Sequence, residues 1–198
     1  FDNAMVCTHV AGSTSEINCD FAVALFPASL GLQQDADVPV PDGQTALPVY
    51  GNADTDGVLM VTNWDNANRI IRATPQGQTF VIHAYEASTG DIATDSVEYG
   101  YVYLPYDLPG LIAGRILADG TIASGTGGFS VAQVQAGTNA PATRIRIDNI
   151  DARTDGVLLL TATDGPFAMA WQPHTDGSFD VEALDLADLT VQHAGFMF

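Results

Sequence analysis

The sequence repeats itself. Thr55–Thr62 reads T-D-G-V-L-M-V-T and Thr154–Thr161 reads T-D-G-V-L-L-L-T, with residue numbers that differ by 99. The match continues at this spacing, without gaps, through four pairs of identical or similar residues: Asp65 and Asp164, Phe80 and Phe179, Ile82 and Val181, Ala84 and Ala183. A long ungapped match at one spacing is typical of a duplicated structural unit. The chain is therefore predicted to contain two copies of one fold.

A second element occurs three times. The element is found at Cys19–Pro27, Val97–Pro105 and Val191–Phe198. In each copy a polar second residue is followed by an aromatic residue or histidine, then a small residue, and the copy has an apolar end. The chain thus opens and closes on the same element. This fits either an excerpt of a longer repeat array or a final strand that completes the second unit. We expect the apolar residues Gly195–Phe198 to be buried in their own sheet or against a neighbouring subunit.

The local pattern is typical of β-strands throughout. Six runs of strand length are rich in β-branched or aromatic residues: Val58–Thr62, Phe80–Tyr85, Val97–Leu104, Arg144–Ile147, Val157–Thr161 and Phe179–Leu184. Asp-Gly pairs that end at residues 43, 57, 120, 156 and 165 supply turns. We predict an all-β chain of two tandem antiparallel β-sandwich repeats, Ig-like or jelly-roll-like, over residues 1–96 and 97–198, with a boundary margin of about ten residues. A single larger sandwich with internal pseudo-symmetry is the alternative.

The two copies differ in length ahead of the T-D-G-V-L block. The second copy has extra residues within Leu111–Val134, which indicate a tight hairpin around Asp119-Gly120 and a strand at Phe129–Val134. The first copy has the proline-rich segment Asp35–Gly43, which we predict to be a surface loop. Insertions in a duplicated fold usually form loops or added edge strands, and function often resides there.

Charge limits the partners of the chain. There are 24 acidic residues against 6 basic ones, a formal net charge of −18. Such a surface repels phosphate backbones and anionic lipids, so we expect neither nucleic-acid binding nor a membrane-surface role. No apolar run approaches the roughly 18 residues that predict membrane insertion. No charged-then-apolar leader opens the sequence, so residue 1 is expected to be a mature or trimmed end.

The two cysteines, Cys7 and Cys19, lie close together in the sequence. We predict that they form a disulfide, which implies an oxidising compartment and a secreted protein, either extracellular or at the cell surface. Two separate buried thiols are the alternative.

A candidate metal loop lies at the start of the first repeated block. Asn52, Asp54 and Asp56 place oxygen ligands on alternate residues ahead of Gly57, as at the start of a calcium loop. The twelfth position of an EF-hand would be Asn63 rather than glutamate, and Arg153 replaces the middle ligand in the second copy. The alternative is a turn that the fold requires twice. No cofactor is required by the sequence, and calcium is the metal it accommodates.

Aromatic residues form the candidate binding or assembly face. Tyr99, Tyr101 and Tyr103 alternate along one predicted strand, and Tyr106 and Trp64 are added to them as candidates. An exposed face of this kind stacks on sugar rings or packs on a partner subunit. We favour the other interpretation, that the tyrosines are core residues, because the first copy of the element has Phe21, Val23 and Leu25 at these positions.

Catalytic motifs are lacking in the sequence. Five carboxylates surround the last long predicted strand: Asp176, Asp180, Glu182, Asp185 and Asp188. Asp180 and Glu182 share a strand face and could serve glycoside hydrolysis. We favour an acidic solvent-exposed face instead, because such pairs arise freely in a chain with 24 acidic residues. The four histidines, His9, His83, His174 and His193, form no metal or catalytic motif.

The first functional hypothesis is an extracellular structural or adhesive β-repeat protein, without enzymatic activity, that self-associates or packs on neighbouring subunits in a surface layer, fibre or virion appendage. The second is a carbohydrate-binding module, with or without calcium. The third is a glycan-active hydrolase that uses a carboxylate pair.

Overall fold

The computed structural model describes residues 32–64, 68–136 and 140–198. This part of the chain is all-β, with several antiparallel sheets and no α-helix. The first half (residues 32–105) contains six strands: β1 (Gln34–Val40), β2 (Gln44–Pro48), β3 (Gly57–Asn63), β4 (Arg69–Gln76), β5 (Thr79–Glu86) and β6 (Val97–Pro105).

The second half (residues 106–198) contains nine strands, some of them very short: β7 (Gly114–Ile116), β8 (Ile122–Gly125), β9 (Phe129–Ala136), β10 (Ala140–Ile147), β11 (Thr161–Ala162), β12 (Phe167–Pro173), β13 (Phe179–Asp185), β14 (Val191–Gln192) and β15 (Phe196–Met197). The strands form four sheets, with the orders β1-β6-β3, β2-β5-β4, β11-β15-β7-β8 and β12-β13-β10-β9, and β14 adds to β13.

The strand pairing reflects the sequence repeat. In the first half, β5 lies between β2 and β4, and Phe80 is opposite both Leu47 and Pro75. In the second half, β13 lies between β10 and β12, and Phe179 is opposite both Ile145 and Pro173. The two sheets therefore correspond strand by strand: β2 matches β10, β5 matches β13 and β4 matches β12.

The register of the last strand differs from the sequence alignment. Thr62 is opposite Gly100, so aligning Val191–Phe198 with Val97–Pro105 would place Ala194 opposite Thr161. The structure places Met197 there, so that alignment is wrong by three residues. The reason is that Val191 and Gln192 pair with β13 as β14, and the chain reaches the other sheet only afterwards.

The hairpin and the strand predicted in the longer segment of the second half are confirmed, and they comprise three strands, β7, β8 and β9. β7 and β8 form the hairpin, and Gly120 at its tip has a φ of 83°, which favours glycine. β9 extends from Phe129 to Ala136 and pairs with β10 at eight consecutive positions. The predicted loop at Asp35–Gly43 is wrong. Most of it is β1, since Val40 is fully buried in the core and an edge strand tolerates the prolines.

The two halves share a buried core. The larger apolar cluster joins the sheets β1-β6-β3 and β2-β5-β4 and also includes Ala113 and Met197 from the second half. Alternate residues of the last strand, Phe196 and Phe198, face a second cluster with Ile116, Ile145 and Phe179. The sheet that contains β15 therefore packs on both sides.

Polar contacts reinforce the junction between the halves. Val61 N donates to Thr161 Oγ1 at 3.2 Å, and Thr74 Oγ1 donates to the Thr163 carbonyl at 2.6 Å. These two bonds give partners to a backbone N–H and a side-chain hydroxyl at the seam.

Candidate functional site

The candidate calcium residues form a closed turn ahead of β3. Asp56 N donates to the Asn52 carbonyl at 2.8 Å, and Asn52 N donates to Asp56 Oδ2 at 2.8 Å. Asp54 N donates to Asn52 Oδ1 at 2.9 Å, and Thr55 Oγ1 donates to Asp56 Oδ1 at 2.7 Å. The hydrogen bonds from Asn52 and then from Thr55 lower the pKa of Asp56. The side-chain oxygens of Asn52 and Asp56 therefore serve the turn itself.

Asp54 points away from this turn toward two other partners. Gly77 N donates to Asp54 Oδ2 at 2.9 Å, and Arg115 Nη1 donates to Asp54 Oδ1 at 3.1 Å. The structure thus brings Asn52 and Asp56 together and directs Asp54 to the second half. No group of three or more histidine, cysteine or acidic side chains in the described ranges is placed to hold a metal.

The same turn occurs ahead of β11. Asp155 N donates to the Asp151 carbonyl at 2.9 Å, Asp151 N donates to Asp155 Oδ2 at 2.9 Å, and Arg153 N donates to Asp151 Oδ1 at 3.0 Å. The Arg153 guanidinium also bonds Asp151, and this lowers the pKa of Asp151 to about 2. The repeated hydrogen bonds show that the turn is a recurring structural element of this chain.

The tyrosine stripe lies largely inside the protein. Tyr99 and Tyr103 are buried, while Tyr101 and Tyr106 are partly buried against the same core. Trp64 is 51% exposed and lies beside Gly100, on the opposite side of β6 from the alternating tyrosines. The structure therefore does not bring Trp64 and the tyrosines onto one exposed face.

Burial has a chemical consequence for two of these tyrosines. It raises the pKa of Tyr99 and of Tyr103 to about 12, with nearby acidic groups adding to the effect. The Tyr103 hydroxyl is buried and has no hydrogen-bond partner among the described residues. The Tyr106 hydroxyl, by contrast, lies 3.0 Å from Ser124 Oγ of β8.

A shallow groove lies over β12 and β13. It is lined by Ala170, Trp171, Gln172, Asp180 and Glu182. Asp180 is buried and accepts two hydrogen bonds from Arg144, at 2.6 and 2.9 Å, while Gln172 Nε2 donates to Glu182 Oε1 at 3.1 Å. Trp171 packs edge-on against Phe179 with ring centroids 5.2 Å apart. The groove offers polar groups and part of one aromatic ring to a ligand.

The other three carboxylates of this region serve turns. Asp176 accepts hydrogen bonds from the Ser178 side chain and backbone, which strongly lower its pKa. Asp185 accepts from Gln192 and Ala187 N, and Asp188 accepts from Thr190. The five acidic residues are therefore distributed over several local structures.

One cluster escapes prediction from the sequence. Arg72 of β4 lies opposite His83 of β5, donates from Nε to His83 Nδ1 at 3.3 Å, and stands 5.2 Å from the centre of the Tyr85 ring. Burial, and then the charge of Arg72, lower the pKa of His83. The hydrogen bond requires a neutral imidazole. The signal in the sequence is the short Gly77 turn, which fixes the register that places the two side chains opposite each other.

The cysteine pair Cys7 and Cys19 lies outside the described residues. Within them, no helix is long and apolar enough to cross a membrane.

Comparison with known proteins adds no relative. No protein-family model matches the chain, and neither the curated proteins nor the solved structures contain a match to it.

Proposed function

We propose that this chain is a structural or adhesive β-repeat protein of the cell surface or extracellular space, without enzymatic activity. In this proposal it consists of two tandem sandwich units, Ig-like or jelly-roll-like, and assembles with further subunits into a surface layer, fibre or virion appendage. Nucleic acid and membrane insertion have no part in it.

The seam between the halves is the observation that carries the proposal. Met197 belongs to the second half, yet it is fully buried in the apolar cluster of the first. The Asp54–Arg115 ion pair and the Thr161 hydroxyl connect the same surfaces. Two units joined by a shared core resist bending, which suits a load-bearing element better than a flexible linker would.

We place the division between the two units after Pro105. β6 pairs with β1 and β3, both of which precede residue 97. A boundary at Pro105 keeps this sheet intact and lies within the margin of about ten residues that the sequence allows.

Secretion and cation binding belong to the same proposal. The net charge of −18 suits a salty, cation-rich medium, and a Cys7–Cys19 disulfide would form in an oxidising compartment. Calcium is retained as an optional ligand at Asn52, Asp54 and Asp56, where it would have to displace the present hydrogen bonds.

Assembly of the purified chain tests the proposal. Light scattering over a concentration series, together with negative-stain electron microscopy, should show defined oligomers or filaments. The same measurements with a calcium chelator test whether assembly depends on calcium bound at the turn Asn52–Asp56. A protein that stays monomeric at every concentration would contradict the structural role.

The groove at Trp171 and Gln172 favours a second candidate, a carbohydrate-binding module. Polar side chains beside an aromatic ring are typical of shallow sugar sites. A glycan array should then show binding that Gln172→Ala abolishes. The control Gln44→Ala, on β2 in the sheet β2-β5-β4, should leave that binding unchanged. Trp64 offers a separate exposed ring, and Trp64→Ala tests it on the same array.

A further inference from the structure

The added strand β9 has a free edge. Within the described ranges it pairs only with β10, through all eight of its residues and without a register shift. In an antiparallel strand about half of the backbone N–H and C=O groups point to each side. No backbone group of the described residues therefore occupies the other side of β9. Ser130, Ala132, Gln133 and Gln135 are exposed along it.

The other edge strands are protected against such pairing. β1 has Asp35, Pro39 and an irregular register, and β4 has two arginines and Pro75. β2 and β12 end in prolines, and β12 also contacts β4. The uncharged β3 is covered by the second half, where Val61 N bonds Thr161, and β8, β11 and β14 are four residues or shorter.

β9 carries none of these protective features. Its sequence, F-S-V-A-Q-V-Q-A, lacks charge and proline. Natural proteins generally place charges, prolines or bulges on exposed edges, because an unprotected edge pairs with other chains. An edge strand of eight residues without them indicates a surface that is used for pairing.

Local charge favours a second copy as the partner. The protein has a net charge of −18, so two copies repel each other over most of their surface. The two strands at this edge, β9 and β10, contain two arginines and no acidic residue. Arg144 and Arg146 lie opposite Ala132 and Ser130, and Arg144 is already paired with Asp180 of β13, so this edge carries little net negative charge. This edge is thus one at which two acidic copies can approach each other.

We propose that β9 is a homodimerisation strand, which pairs antiparallel with β9 of a second copy and joins two sheets into one continuous sheet. A two-fold axis perpendicular to the sheet, near Ala132 and Gln133, keeps Ser130, Ala132 and Val134 on the same outer face in both copies. Phe129 and Val131, which are only partly buried against the second core, gain cover from the partner strand. The inference rests on the proposed function, because it names the partner in self-association.

Sedimentation velocity at about 0.15 M ionic strength tests the pairing with four proteins. These are the wild type, Ala132→Glu, Gln135→Glu and the control Ala46→Glu, which adds the same charge to the exposed face of edge strand β2. We expect dimers of the wild type and the control. Glutamates at position 132 of the two copies meet beside the two-fold axis, so Ala132→Glu should raise the dimer dissociation constant by about tenfold or more. Gln135→Glu, which lies further from the axis and from its own copy, should raise it less.

Two further measurements make the result decisive. Circular dichroism and thermal unfolding check that each variant is folded. Hydrogen exchange of the wild type, at low and high concentration, should show concentration-dependent protection at residues 129–136 and none at 167–173. Unchanged association of both folded β9 variants, or exchange in β9 that is independent of concentration, overturns the β9 dimer alone. A wild type that never associates overturns the dimer and the proposed function together.

Discussion

Arg115 Nη1 donates to Asp54 Oδ1 across 3.1 Å and so ties the second half of the protein to the turn that precedes β3. The Arg115 side chain is 17% exposed, and its Nε has no partner among the described residues. A guanidinium in this position depends on one carboxylate. The ion pair is thus a specific element of the seam, beside the apolar contacts of Met197.

Asp54→Ala should lower the free energy of unfolding by about 1 to 3 kcal/mol, because it leaves Arg115 without a counter-charge and Gly77 N without an acceptor. Urea unfolding measures the loss. A double-mutant cycle with Arg115→Met separates the ion pair from the Gly77 bond. Asp95→Ala, which breaks a surface ion pair to Arg69, is the control and should cost less. If Asp54→Ala and Asp95→Ala lowered the free energy of unfolding equally, a special role for Asp54 would be contradicted.

Met197→Ala should destabilise both halves at once. Met197 is fully buried in the core of the first half, and truncation of a buried methionine costs about 2 to 5 kcal/mol. Trp64 and Trp171 report on the two halves separately when the other tryptophan is replaced by phenylalanine. Their fluorescence transitions should coincide and shift together. Leu189→Ala, at a side chain 69% exposed, should change stability by no more than about 0.5 kcal/mol. Separate transitions would show that the halves fold independently.

Tyr103→Phe should stabilise the protein at neutral pH by up to about 1 kcal/mol, because it removes a buried hydroxyl that lacks a partner in the described part of the chain. The substitution should also change how stability falls at alkaline pH. Burial raises the pKa of Tyr103 from 10.0 to about 12, so the neutral phenol favours the folded state. That contribution is complete below pH 10 and is lost as the pH rises toward 12.

Urea midpoints between pH 8 and about pH 12 measure this dependence, and the Tyr103→Phe variant should lose stability less steeply than the wild type. Tyr50→Phe, at a side chain 81% exposed, should leave stability at neutral pH unchanged. A Tyr103→Phe variant that is less stable than the wild type would indicate that the hydroxyl has a partner after all.

Asp180→Asn should cost about 3 kcal/mol, because Arg144 then keeps its charge with only the more distant Asp176 to balance it. The double variant Asp180→Leu with Arg144→Met should recover much of the loss, since apolar residues often replace a buried ion pair well. Glu182→Gln, which alters the neighbouring contact to Gln172, is the control and should be milder. Unfolding in guanidinium chloride measures the loss of stability for Asp180→Asn, for the double variant and for Glu182→Gln, and so tests this order.

The sequence predicts local structure here better than it predicts packing. Five of the six predicted strands followed from β-branched and aromatic runs, and the hairpin at Asp119-Gly120 followed from its turn residues. The predicted strand Val157–Thr161 is wrong over most of its length, since only Thr161 belongs to a strand, β11. The segment Asp35–Gly43 was misjudged because its prolines suggest a loop, although an edge strand accommodates them. The register of β15 does not follow from its likeness to β6, because β14, only two residues long, pairs with another sheet first.

The candidate sites depended on contacts between distant residues. The spacing of Asn52, Asp54 and Asp56 resembles a ligand set, but Arg115 is 61 residues away from Asp54 and no local pattern reveals their contact. The tyrosine stripe was correctly assigned to one strand, yet its burial depends on how sheets stack. The sequence predicted β9 as a strand. Its unpaired edge became visible only when the pairing of all the described strands was known.

The repeated turn also distinguishes the two halves. Asp54 and Arg153 occupy the same place in identical hydrogen-bonded frames, but they carry opposite charges. A chain in which a second copy of residues 106–198 replaced the first half would set Arg153 against Arg115 and lose the ion pair across the seam. The two similar halves are therefore not interchangeable.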